Sequence, residues 1–552
     1  MPPGLAARRS LVPVAGFTLL LVGAAIPRLH GLGRGLWTAE AWVANSALAD
    51  RWGEVFHYGA WLQTTPPLFL ALVRAVARAL GPSDVVLRIV PFALGVLSVA
   101  LVAALAWRTF RPPFAILCTA MVALSPAAIA YSKELKQYTG DLASTALNLL
   151  VLSAYLRHRD VRRFAWVLAT FACTVLLSYT AVVIAPAIAW VLWSTEPAFA
   201  GEPPPDRRAQ RRARVVRFAA FALVVLATGA TEYALLIRPN GGPQLVAYWK
   251  AGFPEWTSPI HVLDFYGRYF LAMGGQLLVP PLQSKGALAV AASLGGTVLL
   301  LGILVALRRR DRRALVAMAF GPWLTLAVLN ALRLPPVGPP RLVLFLLPCV
   351  AIALTLVLEE AWGALAPALS PAAGTRLLAA LGLVSAAAVL GSGVVHRWEP
   401  WHEEDVESAV RYLEANVKTG DVVYVHASVL EPAKLYLRLL RWPDPPVLKG
   451  RAGFPCCTRD PEDSNRRNGM AALSEEMSAL SRVRTPGSLW LLFTGRPEHW
   501  EYLQRNDEVL FTASLQAAGW RSRVVAAFPQ VVVREFVAGE PTTSTTTSLR
   551  TR

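Results

Sequence analysis

Residues 84–107 read DVVLRIVPFALGVLSVALVAALAW, and this stretch decides the fold. After Asp84 its only ionisable side chain is Arg88. A helix of this length, rising about 1.5 Å per residue, crosses the roughly 30 Å hydrocarbon core of a bilayer. Comparable apolar runs recur at about 11–26, 113–130, 141–156, 164–178, 180–194, 217–237, 286–307, 314–332, 341–358 and 376–395. Together they predict an α-helical polytopic membrane protein with about eleven transmembrane helices. The 552 residues are 55% hydrophobic and only 16% charged, more apolar side chain than a water-exposed fold can hide, which excludes a soluble enzyme.

Lys and Arg outnumber Asp and Glu by 54 to 36, a net charge of +18, and their positions explain the excess. Arg8 and Arg9, Arg108 and Arg111, Arg157 to Arg163, Arg207 to Arg217 and Arg308 to Arg313 fall in every second loop. Basic residues in short loops stay on the cytoplasmic side. The pattern therefore predicts a multi-pass protein of the plasma (inner) membrane, with its N-terminus cytoplasmic. The stretch RRAQRRARVVR (207–217) suits anionic membrane lipids, with no nucleic acid as partner. PPLFLALVRAVARAL (66–80) looks apolar but carries Arg74 and Arg78, and counting it as a span would turn the later basic loops outward. It is expected as an amphipathic helix on the outer leaflet.

Two long outer loops follow from this scheme, at 30–84 and 238–285, within a membrane domain over 1–395. From about His396 the composition becomes mixed and polar, and 396–538 reads as a C-terminal extracytoplasmic α/β domain. Its expected strands are DVVYVHA (421–427), SLWLLFT (488–494), RVVAAF (523–528) and QVVVREFV (530–537), with helices at about 403–416, 431–440 and 496–518. The tail 539–552 reads as disordered.

Ionisable groups at a membrane face are costly to desolvate, so they need a partner or a role. In LWTAEAW (36–42), Glu40 lies between Trp37 and Trp42; partial desolvation would raise its pKa toward that of a general base, or it simply favours the start of a surface helix. YSKELKQYTGD (131–141) packs Lys133, Glu134, Lys136 and Asp141 into a short outer turn, where two ammonium groups could hold a phosphate. Arg88 sits at the outer end of its span, able to snorkel to the headgroups or to bind a lipid phosphate. Arg333 and Arg341 flank the proline-rich RLPPVGPPR, from which either could clamp a phosphate. The eight histidines form no metal-binding spacing and the five cysteines no C-x-x-C pair, so no metal site built by the protein is expected. Nucleotide-binding and serine-hydrolase motifs are absent from the sequence as well.

In this order the landmarks resemble the GT-C class of membrane glycosyltransferases, in particular bacterial members of the family 39 type related to protein O-mannosyltransferases and aminoarabinose transferases. LWTAEAW is similar to that family's L-W-x-D-E-A, QTTPPLFLAL (63–72) to its P-P-L helix, and LRIVPFALGVLS (87–98) to its L-R-x-P-S-x-x-x-G helix. YSKELKQYTGD is similar to its Y-S-x-E-x-[RK]-x-Y turn, and PPRLVLFLLP (339–348) to its late R-Y-L-L-x-x-L-P helix. The resemblance implies inverting transfer of a sugar from a polyprenyl-phosphate donor to a hydroxyl of a glycan, lipid or protein acceptor at the outer face. No cofactor is required; a divalent cation held through phosphate and water is compatible with it. The family's first-loop aspartate, its expected base, is Ala39 here. Either Glu40 serves instead with Asp141 in support, or Asp141 takes the part, or the chain keeps lipid binding without transfer. Arg88, Lys136 and Arg341, with Lys133 and Arg333 behind them, are the residues expected at the lipid phosphate.

Overall fold

The computed structural model describes residues 20–58, 64–195, 207–241, 249–268, 312–338, 340–368, 404–452, 469–483, 485–494 and 506–538, with isolated positions between them. The apolar runs at 286–307 and 376–395 and the tail at 539–552 lie almost wholly outside these residues. The N-terminal half is helical: α1 (Leu20–Leu29), then α2 (Thr38–Ala47), α3 (Trp52–Phe56) and α4 (Pro67–Leu80) in the connection to α5 (Asp84–Thr109), then α6 (Pro112–Leu124) and α7 (Pro126–Tyr131). Next come α8 (Tyr138–His158), α9 (Val161–Leu177), α10 (Ala181–Ser194), α11 (Arg207–Glu232), α12 (Pro259–Tyr266), α13 (Arg313–Ala331) and α14 (Leu347–Leu365). Among the described residues, four stretches are long and apolar enough to cross a membrane: Asp84–Thr109, Arg207–Asn240, Arg313–Ala331 and Pro340–Ala368. Phe114, Tyr155, Phe171, Ile184, Phe345 and Ile352 belong to the core that these helices share. The expected single run at 113–130 is two helices, because Ser125 ends α6 and its hydroxyl accepts from the Ala128 N–H to start α7 at Pro126.

The two ends of α5 differ in chemistry. Arg88 and Arg108 are separated by twenty residues, about 30 Å along the helix. At the Arg108 end, Arg157 donates to the Arg108 carbonyl. Glu359 accepts there from the Arg111 N–H at 2.9 Å and from the Arg312 guanidinium at 3.1 Å. The basic loops thus meet at one end of the bundle, and the segment between α1 and α5 folds over the other. There α4 is amphipathic as expected: Phe69, Leu70, Val73 and Ala77 are buried while Leu72 and Leu80 face outward.

The C-terminal part is an α/β domain. Its sheet has the order β2-β1-β3-β5-β4, formed by β1 (Val422–Val425), β2 (Val447–Lys449), β3 (Leu489–Thr494), β4 (Trp520–Phe528) and β5 (Val531–Ala538). Strand β1 runs parallel to β2 and β3, and β5 pairs antiparallel with β3 and β4. Helices α15 (Val406–Asn416), α16 (Leu430–Leu439), α17 (Met470–Ser481) and α18 (Asp507–Ala517) pack on it. Neither β2 nor α17 is expected from the sequence, and the helix expected at 496–518 is described only from Asp507.

This domain rests on the segment between α1 and α5. Glu404 accepts from the Thr38 N–H and hydroxyl at 2.9 and 2.7 Å, and Glu431 accepts from Asn45 at 2.9 Å and from Tyr58 at 2.6 Å. The Tyr436 hydroxyl accepts from the Leu36 N–H at 2.5 Å and donates to Asp84 at 2.9 Å. Leu36, Val43 and Ala47 share one apolar cluster with Val410, Leu413, Val429 and Leu435. On its far side α2 is gripped by α4: Arg74 donates to the carbonyls of Ala47, Ala49 and Asp50 and lies over the Trp52 ring, 4.8 Å from its centroid.

Candidate functional site

Helix α2 carries Glu40 in its first turn, and the side chain points inward to Arg88 of α5. Neither is exposed to solvent. Glu40 Oε1 accepts from Arg88 Nε at 2.8 Å and from the Leu135 N–H at 2.6 Å; Oε2 accepts from Arg88 Nη2 at 2.5 Å and from the Trp37 N–H at 3.4 Å. The rest of the guanidinium donates to the carbonyls of Leu32, Arg34 and Gly35. All five N–H donors are therefore engaged within the protein. Burial alone would push the Glu40 carboxyl up, but the Arg88 charge and hydrogen bonds, helped by Arg34 and the Leu135 N–H, outweigh it and hold the pKa below the usual carboxylate value. This corrects the raised value expected from two flanking indoles. The Arg88 side chain likewise turns into the protein, its donors on Glu40 and three carbonyls, and not out to the headgroups or to a lipid phosphate, the two places expected for it.

The turn after α7 is fixed from three sides. Leu135 donates to Glu40, Arg28 Nε donates to Ser132 Oγ at 3.2 Å, and α5 comes so close that a Cβ at Gly95 would lie 2.1 Å from Ser132 Oγ. Lys133 and Glu134 are consequently buried, not the surface residues that a short charged loop suggests. Glu134 Oε1 accepts from the Trp37 indole N–H at 3.0 Å. Its Oε2 is buried without a hydrogen-bond partner among the described residues.

Glu134 faces Glu40, Arg341, Lys136 and Arg34. Burial, and then the negative charge of Glu40, push its carboxyl above the ordinary value despite the three cations. Burial likewise lowers Lys136, to about 8, although Glu134 pulls the other way. Arg341 stands at the start of the helical turn leading into α14, with its guanidinium 5.5 Å from the centroid of the Trp249 ring and Tyr131 close by. Lys136, Arg341 and Arg34 against Glu134 make a small region of positive excess at the end of the bundle away from the basic loops.

Not every expected residue joins this cluster. Asp141 is buried in the first turn of α8 and faces the hydroxyls of Ser178 and Thr180, a neighbourhood different from that of Glu134. Arg333 is exposed, in left-handed conformation at φ 59°, in the turn after α13. Conversely, the structure adds Arg34, Tyr131 and Trp249 to the cluster, and Glu134, to which the sequence reading gives no role, lies at its centre. Glu134 was legible as the acid of the Y-S-x-E turn; Arg34 and Trp249 carry no local signal. Among the described residues no three His, Cys, Asp or Glu side chains gather as a metal-binding group.

A model of the family described as dolichyl-phosphate-mannose-protein mannosyltransferase matches residues 64–202, which hold α4 to α10. Among curated proteins none matches the chain by sequence. By structure the chain is similar to ArnT from Cupriavidus metallidurans in the apo state, with a TM-score of 0.52 at 13% identity, covering 97% of this chain and 100% of that one. The same protein bound to undecaprenyl phosphate matches with a TM-score of 0.51 at 14% identity, covering 98% of this chain and 100% of that one. The archaeal oligosaccharyltransferase AglB from Archaeoglobus fulgidus, in complex with an inhibitory peptide and a dolichol-phosphate, matches with a TM-score of 0.51 at 13% identity, covering 92% of this chain and 73% of that one.

Proposed function

From a chain that carries the fold of the GT-C membrane glycosyltransferases, we propose that this protein moves a sugar from a polyprenyl-phosphate donor to an acceptor hydroxyl at the extracytoplasmic face of the membrane, with inversion at the anomeric carbon. The observation that carries the reading is the cluster of Lys136, Arg341 and Arg34 around a buried carboxylate, at the opposite end of α5 from the basic loops. A lipid-linked donor presents its phosphate at the edge of the hydrocarbon layer, and a cluster at the end of an apolar helix such as α5 is suited to meet it there. Cations fixed in advance at a departing phosphate oxygen stabilise charge that develops only in the transition state. Lys136 and Arg341 serve the phosphate, backed by Lys133. Glu40 and Arg88, tied to each other, hold α2 and the 132–137 turn in register. Asp141, which faces the hydroxyls of Ser178 and Thr180, stands apart from the phosphate cluster. The bound undecaprenyl phosphate and dolichol-phosphate in the two structural relatives favour a donor of this class.

A second reading, a membrane protein that binds or translocates lipid-linked sugars without transfer, is favoured by Ala39, which cannot accept a proton. The two readings separate in one assay. Membranes containing the protein are supplied with labelled polyprenyl-phosphate mannose, glucose, arabinose, aminoarabinose and galacturonic acid. Transfer of label from at least one donor, reduced about 10- to 100-fold in Lys136→Ala or Arg341→Ala, is the expected result. Binding of undecaprenyl phosphate with no transfer from any donor supports the second reading, and the absence of both defeats the proposal.

A further inference from the structure

We infer that Glu134 is the general base of the transfer, in place of the acidic side chain that position 39 lacks. This deepens the transferase reading and rests on it. Two carboxylates are present in the cluster, and their surroundings divide the work. Both oxygens of Glu40 are occupied by the Arg88 fork and by the N–H groups of Leu135 and Trp37, so a proton arriving there would have to break an ion pair. Glu134 is held by one oxygen only. The Trp37 indole N–H orients Oε1, and Trp37 is the residue just before α2, two positions ahead of Ala39, so the indole fixes the carboxylate at the end of α2 that carries the alanine. Oε2 is left buried and without a hydrogen-bond partner among the described residues. An oxygen kept in that state is costly and calls for an explanation, and an incoming hydroxyl supplies one.

The groups that face Glu134 are Glu40 from α2, Arg34 from the first loop, Lys136 from its own turn, Arg341 from the turn before α14 and Tyr131 from the end of α7. Burial and the Glu40 charge keep the Glu134 carboxyl above the ordinary value, which brings it toward the range where a carboxylate takes up a proton efficiently.

In the reaction, the acceptor hydroxyl gives its proton to Glu134 Oε2 as its oxygen bonds to the anomeric carbon. The bond from that carbon to the phosphate oxygen breaks, and its electron pair stays on the phosphate beside Lys136 and Arg341. Glu134 then returns the proton to water. No oxidant or reductant is involved.

The test uses the full-length protein in lipid nanodiscs, with two readouts: binding of labelled undecaprenyl phosphate between pH 5.5 and 8.5, and transfer from the donor panel above. Glu134→Gln is expected to keep the thermal transition of the wild type and to bind undecaprenyl phosphate at least as tightly, most clearly at high pH, where the wild-type carboxylate repels the phosphate. Its kcat falls about 100- to 10,000-fold with little change in KM, and the residual rate loses the pH dependence of the wild type. Adding Ala39→Asp to Glu134→Gln restores at least about tenfold. A Glu134→Gln variant with wild-type kcat overturns the inference, as does one whose undecaprenyl phosphate binding weakens more than about tenfold at every pH, the mark of a structural residue. A wild type that transfers nothing from any donor defeats the transferase reading itself, in favour of lipid binding alone if it still binds undecaprenyl phosphate, whereas transfer by the wild type with an unimpaired Glu134→Gln overturns only the inference.

Discussion

Arg88 and Glu40 have been taken out of water together, and such a pair is easier to damage than to replace. Removing one partner leaves the other charge buried alone, at a cost of about 3–5 kcal/mol. Arg88→Ala is therefore expected to lower the thermal unfolding temperature sharply in detergent. Arg88→Lys should recover little, because a point charge with three donors cannot supply a planar fork together with bonds to three carbonyls; an Arg88→Lys protein as stable as wild type would defeat this account. The pair also sets an acid limit. Its carboxylate titrates below the ordinary value, so its stabilisation is complete above about pH 4.3 and is lost as pH falls through the lowered value. Thermal scans should show a loss in that acid window, absent from Glu40→Gln, which is destabilised at neutral pH. From the sequence the Trp-flanked glutamate was legible as special, but its chemistry was not. What sets that chemistry is an arginine forty-eight residues away, and no local pattern announces the distance between them.

Helices carry the site only because they approach one another closely. Gly95 lets α5 touch the Ser132 turn, where an added methyl group would overlap the hydroxyl. Gly95→Ala is expected to cost about 1–3 kcal/mol and to push the turn bearing Lys133, Glu134 and Lys136 away from α5, weakening undecaprenyl phosphate binding along with stability. A binding titration beside a thermal scan checks both effects; unchanged affinity would show that the turn does not define the phosphate position. Long elements were legible because each apolar run exceeds any competing signal, as in α5 and α8. Strand β2 was not, being three residues long with two of them exposed, and α17 shows only a weak apolar stripe, burying Leu473 and Leu480. The break at Ser125 was missed because serine followed by proline tolerates both a kinked span and a new helix start.

The molecule joins its two halves through α2. The C-terminal domain supplies Glu404, Glu431 and Tyr436 to one side of that helix while Arg74 holds its end from the other. Tyr436→Phe removes the donor to Asp84 and the acceptor for the Leu36 N–H, two bonds that cross between the halves. The expected loss is about 1–3 kcal/mol, seen as a lower unfolding temperature and faster protease cleavage within residues 30–58. Unaltered cleavage would mean that the apolar contacts alone secure the loop. The change to a mixed polar composition was legible in the sequence, but not that the C-terminal domain rests on the loop between α1 and α5, since the groups that meet are individually ordinary.

The bond between Thr38 and Glu404 spans 366 positions. A ribosome adding about 5–20 residues per second reaches the second partner roughly 20–70 s after the first. Throughout that interval α2 waits without its partners from the C-terminal domain, so a nascent chain released before position 404 carries the charged cluster but lacks the groups that brace its first helix.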